Sequence, residues 1–108
     1  MSNDFSLRDP FSNIELYWAN CTHNMVPMAE AAGIYDALWH PIESGFTTAD
    51  EMLVVLEPAL RDLTERQDYY EQFNPSNGWG HYETFLKFIE GIIIACIKYP
   101  NAKPRAYI

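Results

Sequence analysis

The most informative part of this chain is the stretch Asn20-Cys21-Thr22-His23-Asn24, together with the apolar segment that follows it as far as Trp39. All five residues of the stretch carry hydrogen-bonding or thiol side chains, and an amphipathic segment begins directly after them. Nowhere else does the sequence place so much polar chemistry beside so much apolar surface. We therefore predict a helix here, with a functional site near its first turn.

The predicted helix covers residues 24–39. Asn24 is suited to the N-cap, because Pro27 would then lie in the first turn, where its missing N–H costs nothing. Gly33 marks either a kink or the end of a first helical segment. The helix ends at His40-Pro41, because the residue before a proline disfavours helical backbone.

The motif Thr22-His23-Asn24 has two interpretations, and the sequence leaves both open. In the first, the side chains only satisfy the free N–H groups at the start of the helix. In the second, they form a recognition patch at a helix N-terminus, where free amides and the helix dipole favour an anion such as a phosphate.

Two longer helices follow. Thr48-Ala49-Asp50-Glu51 matches a capping box, and apolar residues recur at helical spacing after it, with Pro58 predicting a kink or two helices in series. A further helix is predicted for residues 81–99. Its second half, residues 92–97, is apolar on all sides, which is typical of a central core helix or the seam of an oligomer.

The remaining segments are shorter. Residues 1–12 are predicted to be a flexible polar leader, and residues 68–73 a short helix. Residues 13–19 form a short strand or a helical turn, and an extended tail at 103–108 could pair with them. The predicted fold is mainly α: one domain, residues 1–108, built as a compact bundle of three main helices plus short helices, with a small two-stranded β-ribbon from the N- and C-terminal segments as an optional addition.

The composition excludes several classes of function. Seven Lys and Arg against fifteen Asp and Glu give a net charge of −8, which argues against binding a nucleic acid backbone or an anionic membrane. The polar N-terminus lacks the apolar region of a signal peptide, and the apolar run at 92–97 is too short to span a bilayer. We expect a cytoplasmic protein (in the host cell, if a phage encodes it) with Cys21 and Cys96 as free thiols.

The sequence contains only weak signals for a metal site or a catalytic site. Cys21, His23, His40 and His81 are possible zinc ligands, but the paired clusters typical of zinc sites are missing. Cys21 and His23 as nucleophile and base would need side chains two residues apart to face each other, with no evident acid to orient them. We predict no metal, no cofactor and no catalytic residue.

Three spaced motifs resemble a family of small proteins found in bacteriophages and bacteria, over residues 17–100. They are Asn20-x-Thr22-His23-Asn24, then Ala32-Gly33-Ile34-Tyr35-x-x-Leu38-Trp39-x-Pro41, and finally Asn74-Pro75-x-Asn77-Gly78-Trp79-Gly80 with Tyr82. Members of the family mostly have isoleucine in place of Cys21 and arginine in place of His40. Val26-Pro27 also departs from their usual helix start.

The resemblance gives weight to the matching motifs but implies no reaction; a small, acidic, phage-associated domain without catalytic machinery suggests interference with the host by binding. The first hypothesis is an oligomeric binder that sequesters a small anionic, nucleotide-like ligand. Alternatives are an acidic inhibitor of a host protein, a small hydrolase that uses His23, and a structural component of the virion. The predicted ligand-binding residues are Asn20, Thr22, His23, Asn24, Tyr35, Trp39, Asn77, Trp79 and Tyr82.

Overall fold

A three-stranded antiparallel sheet, in the strand order β2–β1–β3, organises the chain. The computed structural model describes residues 1–76 and 81–108. Its elements are β1 (Ser2–Arg8), β2 (Glu15–Thr22), a 3₁₀ turn (His23–Met25), α1 (Val26–Ala31), α2 (Tyr35–Trp39), α3 (Ala49–Glu65), α4 (Gln67–Glu71), α5 (Tyr82–Lys98) and β3 (Lys103–Tyr107). The architecture is therefore α+β, and the prediction of a mainly α bundle with an optional two-stranded ribbon is wrong.

The largest correction concerns the first residues. The stretch predicted to be a flexible leader contains β1, which is the central strand and pairs with both β2 and β3. Asn3, Phe5 and Leu7 alternate along it and point into the core, and all three are fully buried. Only two of these inward residues are apolar, so the alternation was hidden in a polar composition.

The predicted pairing of residues 13–19 with residues 103–108 is also wrong, because β1 lies between these two segments. A strand is present near the first segment, but it begins at Glu15 and continues to Thr22. It therefore also includes Asn20, Cys21 and Thr22 from the polar stretch. Polar residues are tolerated in β2 because one face of the antiparallel sheet is open to water.

The predicted helix at 24–39 is divided into three pieces: the 3₁₀ turn, α1 and α2. Gly33 causes the break after α1, since its φ of +76° lies in the left-handed region that favours glycine. Its N–H donates to the Glu30 carbonyl at 3.0 Å, and the next N–H, of Ile34, donates to Ala29 at 3.0 Å. The chain thus turns sharply, and α2 is buried against the sheet.

The two long helices confirm their sequence signals. Glu51 closes the capping box of α3, where its carboxylate accepts hydrogen bonds from the backbone N–H groups of Thr47 (2.7 Å) and Thr48 (3.1 Å). The helix is not divided at Pro58, because Pro58 and Val54 are exposed and the carbonyl that loses its donor lies on the water-facing side. The predicted helix at 81–99 is α5, which packs on α3 and on the inner side of β2.

The core lies between the sheet and the helices, and it contains both cysteines. Cys21 and Cys96 are buried free thiols, as predicted, and burial raises the pKa of each to about 12. Both therefore stay protonated at neutral pH, which makes them poor nucleophiles and poor metal ligands. Among the helices that the structure describes, none is long and apolar enough to cross a membrane.

A side-chain cluster joins α3 to α4. The Asp62 carboxylate accepts two hydrogen bonds from the Arg66 guanidinium, at 2.9 and 2.7 Å, and a third from the buried Tyr70 hydroxyl. These bonds, those from Arg66 above all, lower the pKa of Asp62 to about 2. The cluster holds the short helix α4 against the end of α3.

This cluster predicts a pH dependence of stability. A carboxyl whose pKa is depressed in the folded state contributes stability above its ordinary pKa of 3.8, and that contribution is lost as the pH falls toward 2. Asp62→Asn should therefore lower the melting temperature at pH 6 but much less at pH 2.5. The control is Asp68→Asn, which removes an exposed carboxylate of α4. An equal effect of Asp62→Asn at both pH values would contradict the assignment.

Candidate functional site

His23 lies where β2 ends and the 3₁₀ turn begins. Thr22 caps this turn, since its Oγ1 accepts a hydrogen bond from the Asn24 N–H at 3.3 Å. The capping interpretation of the motif is thus correct in kind, but the capping residue is Thr22 and not Asn24. The side chain of His23 instead makes a hydrogen bond with Trp39.

Trp39 fixes the state of the His23 ring. The indole Nε1–H donates a hydrogen bond to His23 Nδ1 at 2.9 Å. Because an indole can only donate, Nδ1 must carry the lone pair, and the neutral ring then has its proton on Nε2. His23 can therefore offer an oriented N–H donor to a ligand.

Aromatic contacts continue behind this pair. The ring of Tyr35 stacks on Trp39 with centroids 5.6 Å apart, and its hydroxyl lies 3.2 Å from His40 Nε2. His40 Nδ1 lies 3.4 Å from the Glu43 carboxylate. Trp39 itself is only 2% exposed, so it supports His23 from within the core and has little surface to offer a ligand.

A cleft of about 490 Å³ opens beside His23, and we call it the His23 cleft. It is lined by His23, Asn24 and Pro27 on one side and by residues 72–76 on the other. Two polar stretches that lie about fifty residues apart in the sequence thus meet at one place. The second stretch includes Asn74, Pro75 and Ser76, the first residues of the third motif; the predicted ligand-binding residues Asn77 and Trp79 lie outside the described residues.

Two predicted ligand-binding residues lie elsewhere. The Asn20 amide donates to Ser2 Oγ (2.9 Å) and Asp4 Oδ1 (2.7 Å), on the sheet face opposite the core. Tyr82 is buried in the core, where its hydroxyl donates to the Leu63 carbonyl at 2.7 Å. Neither residue lines the His23 cleft.

The described lining of the His23 cleft contains no Lys, Arg, Asp or Glu. Over residues 1–76 and 81–108, no group of three or more His, Cys, Asp or Glu is placed to hold a metal ion. The chemistry that the cleft offers is hydrogen bonding by amides, a hydroxyl and one imidazole.

A second cleft, of about 340 Å³, was not found from the sequence, and we call it the basic cleft. It lies along β3 and is lined by Asn13, Ile42, Phe46, Thr47, Lys103, Pro104 and Arg105. The spacing Lys103-x-Arg105 in a predicted extended tail was a usable signal, because alternate residues of a strand point to the same face.

The chain was compared with protein families, curated proteins and solved structures. None of them matches. The resemblance to a phage and bacterial family therefore stays a prediction, and the function must be inferred from the two clefts.

Proposed function

We propose that this protein binds and sequesters a small polar molecule in the His23 cleft without transforming it. The observation that carries the proposal is the meeting of the 22–24 motif with residues 72–76 around one opening. A ligand site needs a concave surface with a few placed hydrogen-bonding groups and some apolar wall. Pro27, Phe73 and Pro75 supply that wall here.

The pre-set orientation of His23 supports binding. Its Nδ1 accepts a hydrogen bond from the Trp39 indole N–H at 2.9 Å, and the ring of Tyr35 stacks on that of Trp39. A donor that is already oriented loses little conformational freedom when it binds a ligand, so more of the interaction energy appears as affinity.

The neutral lining indicates the class of ligand. The Gln72 side chain offers an amide donor and a carbonyl acceptor, and the Asn74 amide can still donate because only its Oδ1 is occupied, by the Tyr82 N–H at 2.8 Å. This set of donors and acceptors matches the edge of a nucleobase or a similar heterocycle. The phosphate of a nucleotide would be held in this cleft by neutral donors only. We therefore propose a ligand with a heterocyclic or amide-like core, of which a nucleoside is the simplest representative.

The geometry favours binding over hydrolysis. A general base must have a free lone pair within reach of the substrate proton. In His23 the lone pair of Nδ1 is used by Trp39 and Nε2 carries the proton. The partner that orients His23 is an indole and not a carboxylate, so the ring lacks the usual support for a charged intermediate. Sequestration in a host cytoplasm is the biological role we propose for such a binder.

The test is a thermal-shift and calorimetric screen with nucleosides and nucleotides. We expect at least one of them to raise the melting temperature. His23→Phe should abolish this shift, whereas His23→Gln, which can accept from Trp39 and still donate, should retain part of it. Asn20→Ala is the matched control, because Asn20 lies on the other face of the sheet. Binding that His23→Phe leaves unchanged would refute the proposal.

A further inference from the structure

We propose that the basic cleft is a second ligand site, which binds a small anion that carries an apolar body. The anionic head would be a carboxylate or a phosphate monoester held by Lys103 and Arg105, and the body would cover the apolar wall of Ile42 and Phe46. This proposal does not depend on the function proposed for the His23 cleft.

The charges of Lys103 and Arg105 are available to a ligand. Among the described residues, no carboxylate lies within 4 Å of either one, although the chain carries fifteen acidic residues. By contrast, Arg8 at the same end of the sheet already faces Glu15 at 3.6 Å. The Arg105 guanidinium lies over the ring of Tyr107, 5.2 Å from its centroid, a contact that does not neutralise its charge.

Apolar surface lies directly beside these cations. Ile42 is 58% exposed, Phe46 is partly buried against the core, and Pro104 is a buried residue of β3. Apolar area that stays in contact with water favours a ligand that can cover it. The combination of two cations with an apolar wall matches an amphipathic anion better than an inorganic ion.

Asn13 sets the rim of the cleft. Its φ of +63° lies in the left-handed region, which is uncommon outside glycine. Hydrogen bonds hold it there: its N–H donates to the Asp9 carbonyl at 2.9 Å, and its own carbonyl accepts from Arg8 Nη1 at 3.2 Å. The backbone of Asn13 is therefore held in place among the residues that line the cleft.

The occupant is a small molecule and not a polymer. Two cations are too few to follow a nucleic acid backbone, which requires a longer row of them. An added peptide strand is disfavoured, because Pro104 has no N–H and blunts the edge of β3. The volume of about 340 Å³ lies in the usual range for a small ligand.

The test uses 1-naphthyl phosphate and 1-naphthoate as anionic probes, with uncharged 1-naphthol and inorganic phosphate as references, measured by calorimetry. We expect one or both anionic probes to bind more tightly than either reference, and the comparison of the two shows which head group is preferred. The double variant Lys103→Ala/Arg105→Ala should weaken binding by about tenfold or more. Ile42→Ser, at an exposed position, should also weaken it.

The matched control is Lys87→Ala/Arg61→Ala, which makes the same change in net charge on α5 and α3 and should leave the affinity unchanged. His23→Phe should also leave it unchanged, which separates this site from the His23 cleft. The proposal is overturned if neither anionic probe binds, if 1-naphthol binds as tightly as the anions, or if the control variant loses as much affinity as the double variant.

Discussion

Phe5→Ala is expected to lower the free energy of unfolding by about 3–5 kcal/mol, which is the usual cost of removing a buried aromatic ring. Phe5 is fully buried at the middle of β1, the strand that joins the two halves of the sheet. A change of this size should reduce the melting temperature by more than about 10 °C in a domain of this length. Urea denaturation followed by circular dichroism measures it directly.

The control for this experiment is Phe11→Ala. Phe11 is 96% exposed in the turn after β1, so the same chemical change there should leave the stability within about 0.5 kcal/mol of the original. If the two variants proved equally stable, the first residues would be a loose leader after all, and the central position of β1 would be wrong.

Ile93→Asp is expected to unfold the protein or to destabilise it by several kcal/mol. Ile93 is 8% exposed on the side of α5 that faces the core, and a carboxylate without a partner is very costly in apolar surroundings. We expect this variant to be insoluble or to melt far below the original protein. Differential scanning calorimetry and solubility after expression are the measurements.

The next residue provides the comparison. Ile94 is 66% exposed, so Ile94→Asp should leave the folded chain intact. Measuring the mass of this variant in solution also tests the predicted oligomer. A lower mass than that of the original protein would place Ile94 in an interface between copies. Two variants with the same low stability would mean that both side chains are buried and that the face assignment of α5 is incorrect.

The sequence predicted the two long helices well because each carries redundant local signals. For α3 these are the Thr48–Glu51 capping box and a long amphipathic repeat, and the helix needs no distant residue to explain it. For α5 the length and apolar content of the segment are enough to predict a helix. Signals of this kind are local, so they can be recognised without knowing the rest of the fold.

The sheet could not be predicted in the same way. β1 owes its structure to pairing with two strands, one of them at the other end of the sequence. Its own residues are mostly polar, and propensity alone favours a loop there. The Asn3 side chain on the buried face donates a hydrogen bond to the Leu38 carbonyl at 2.9 Å, whereas its Oδ1 has no partner among the described residues.

The sequence indicated part of the lining of the His23 cleft. Sequence reasoning selected the His23 region because polar residues were concentrated there, but it included Trp39 and Tyr82, which the core requires. It omitted Lys103 and Arg105, because two cations in a tail are unremarkable until the sheet brings them beside Ile42 and Phe46. The spacing of Lys103 and Arg105 shows only that they share a face of a strand; the apolar residues beside them are brought there by tertiary contacts.

The pairing of Asp4 with Tyr107 has a consequence for synthesis of the chain. Because β1 precedes β3 in the chain, β1 lacks one of its two partner strands until residues 103–107 have been synthesised. Contacts between residues so distant in sequence also slow folding, since a large loop has to close before they form. We therefore expect the chain to be most vulnerable to aggregation in the interval before β3 emerges.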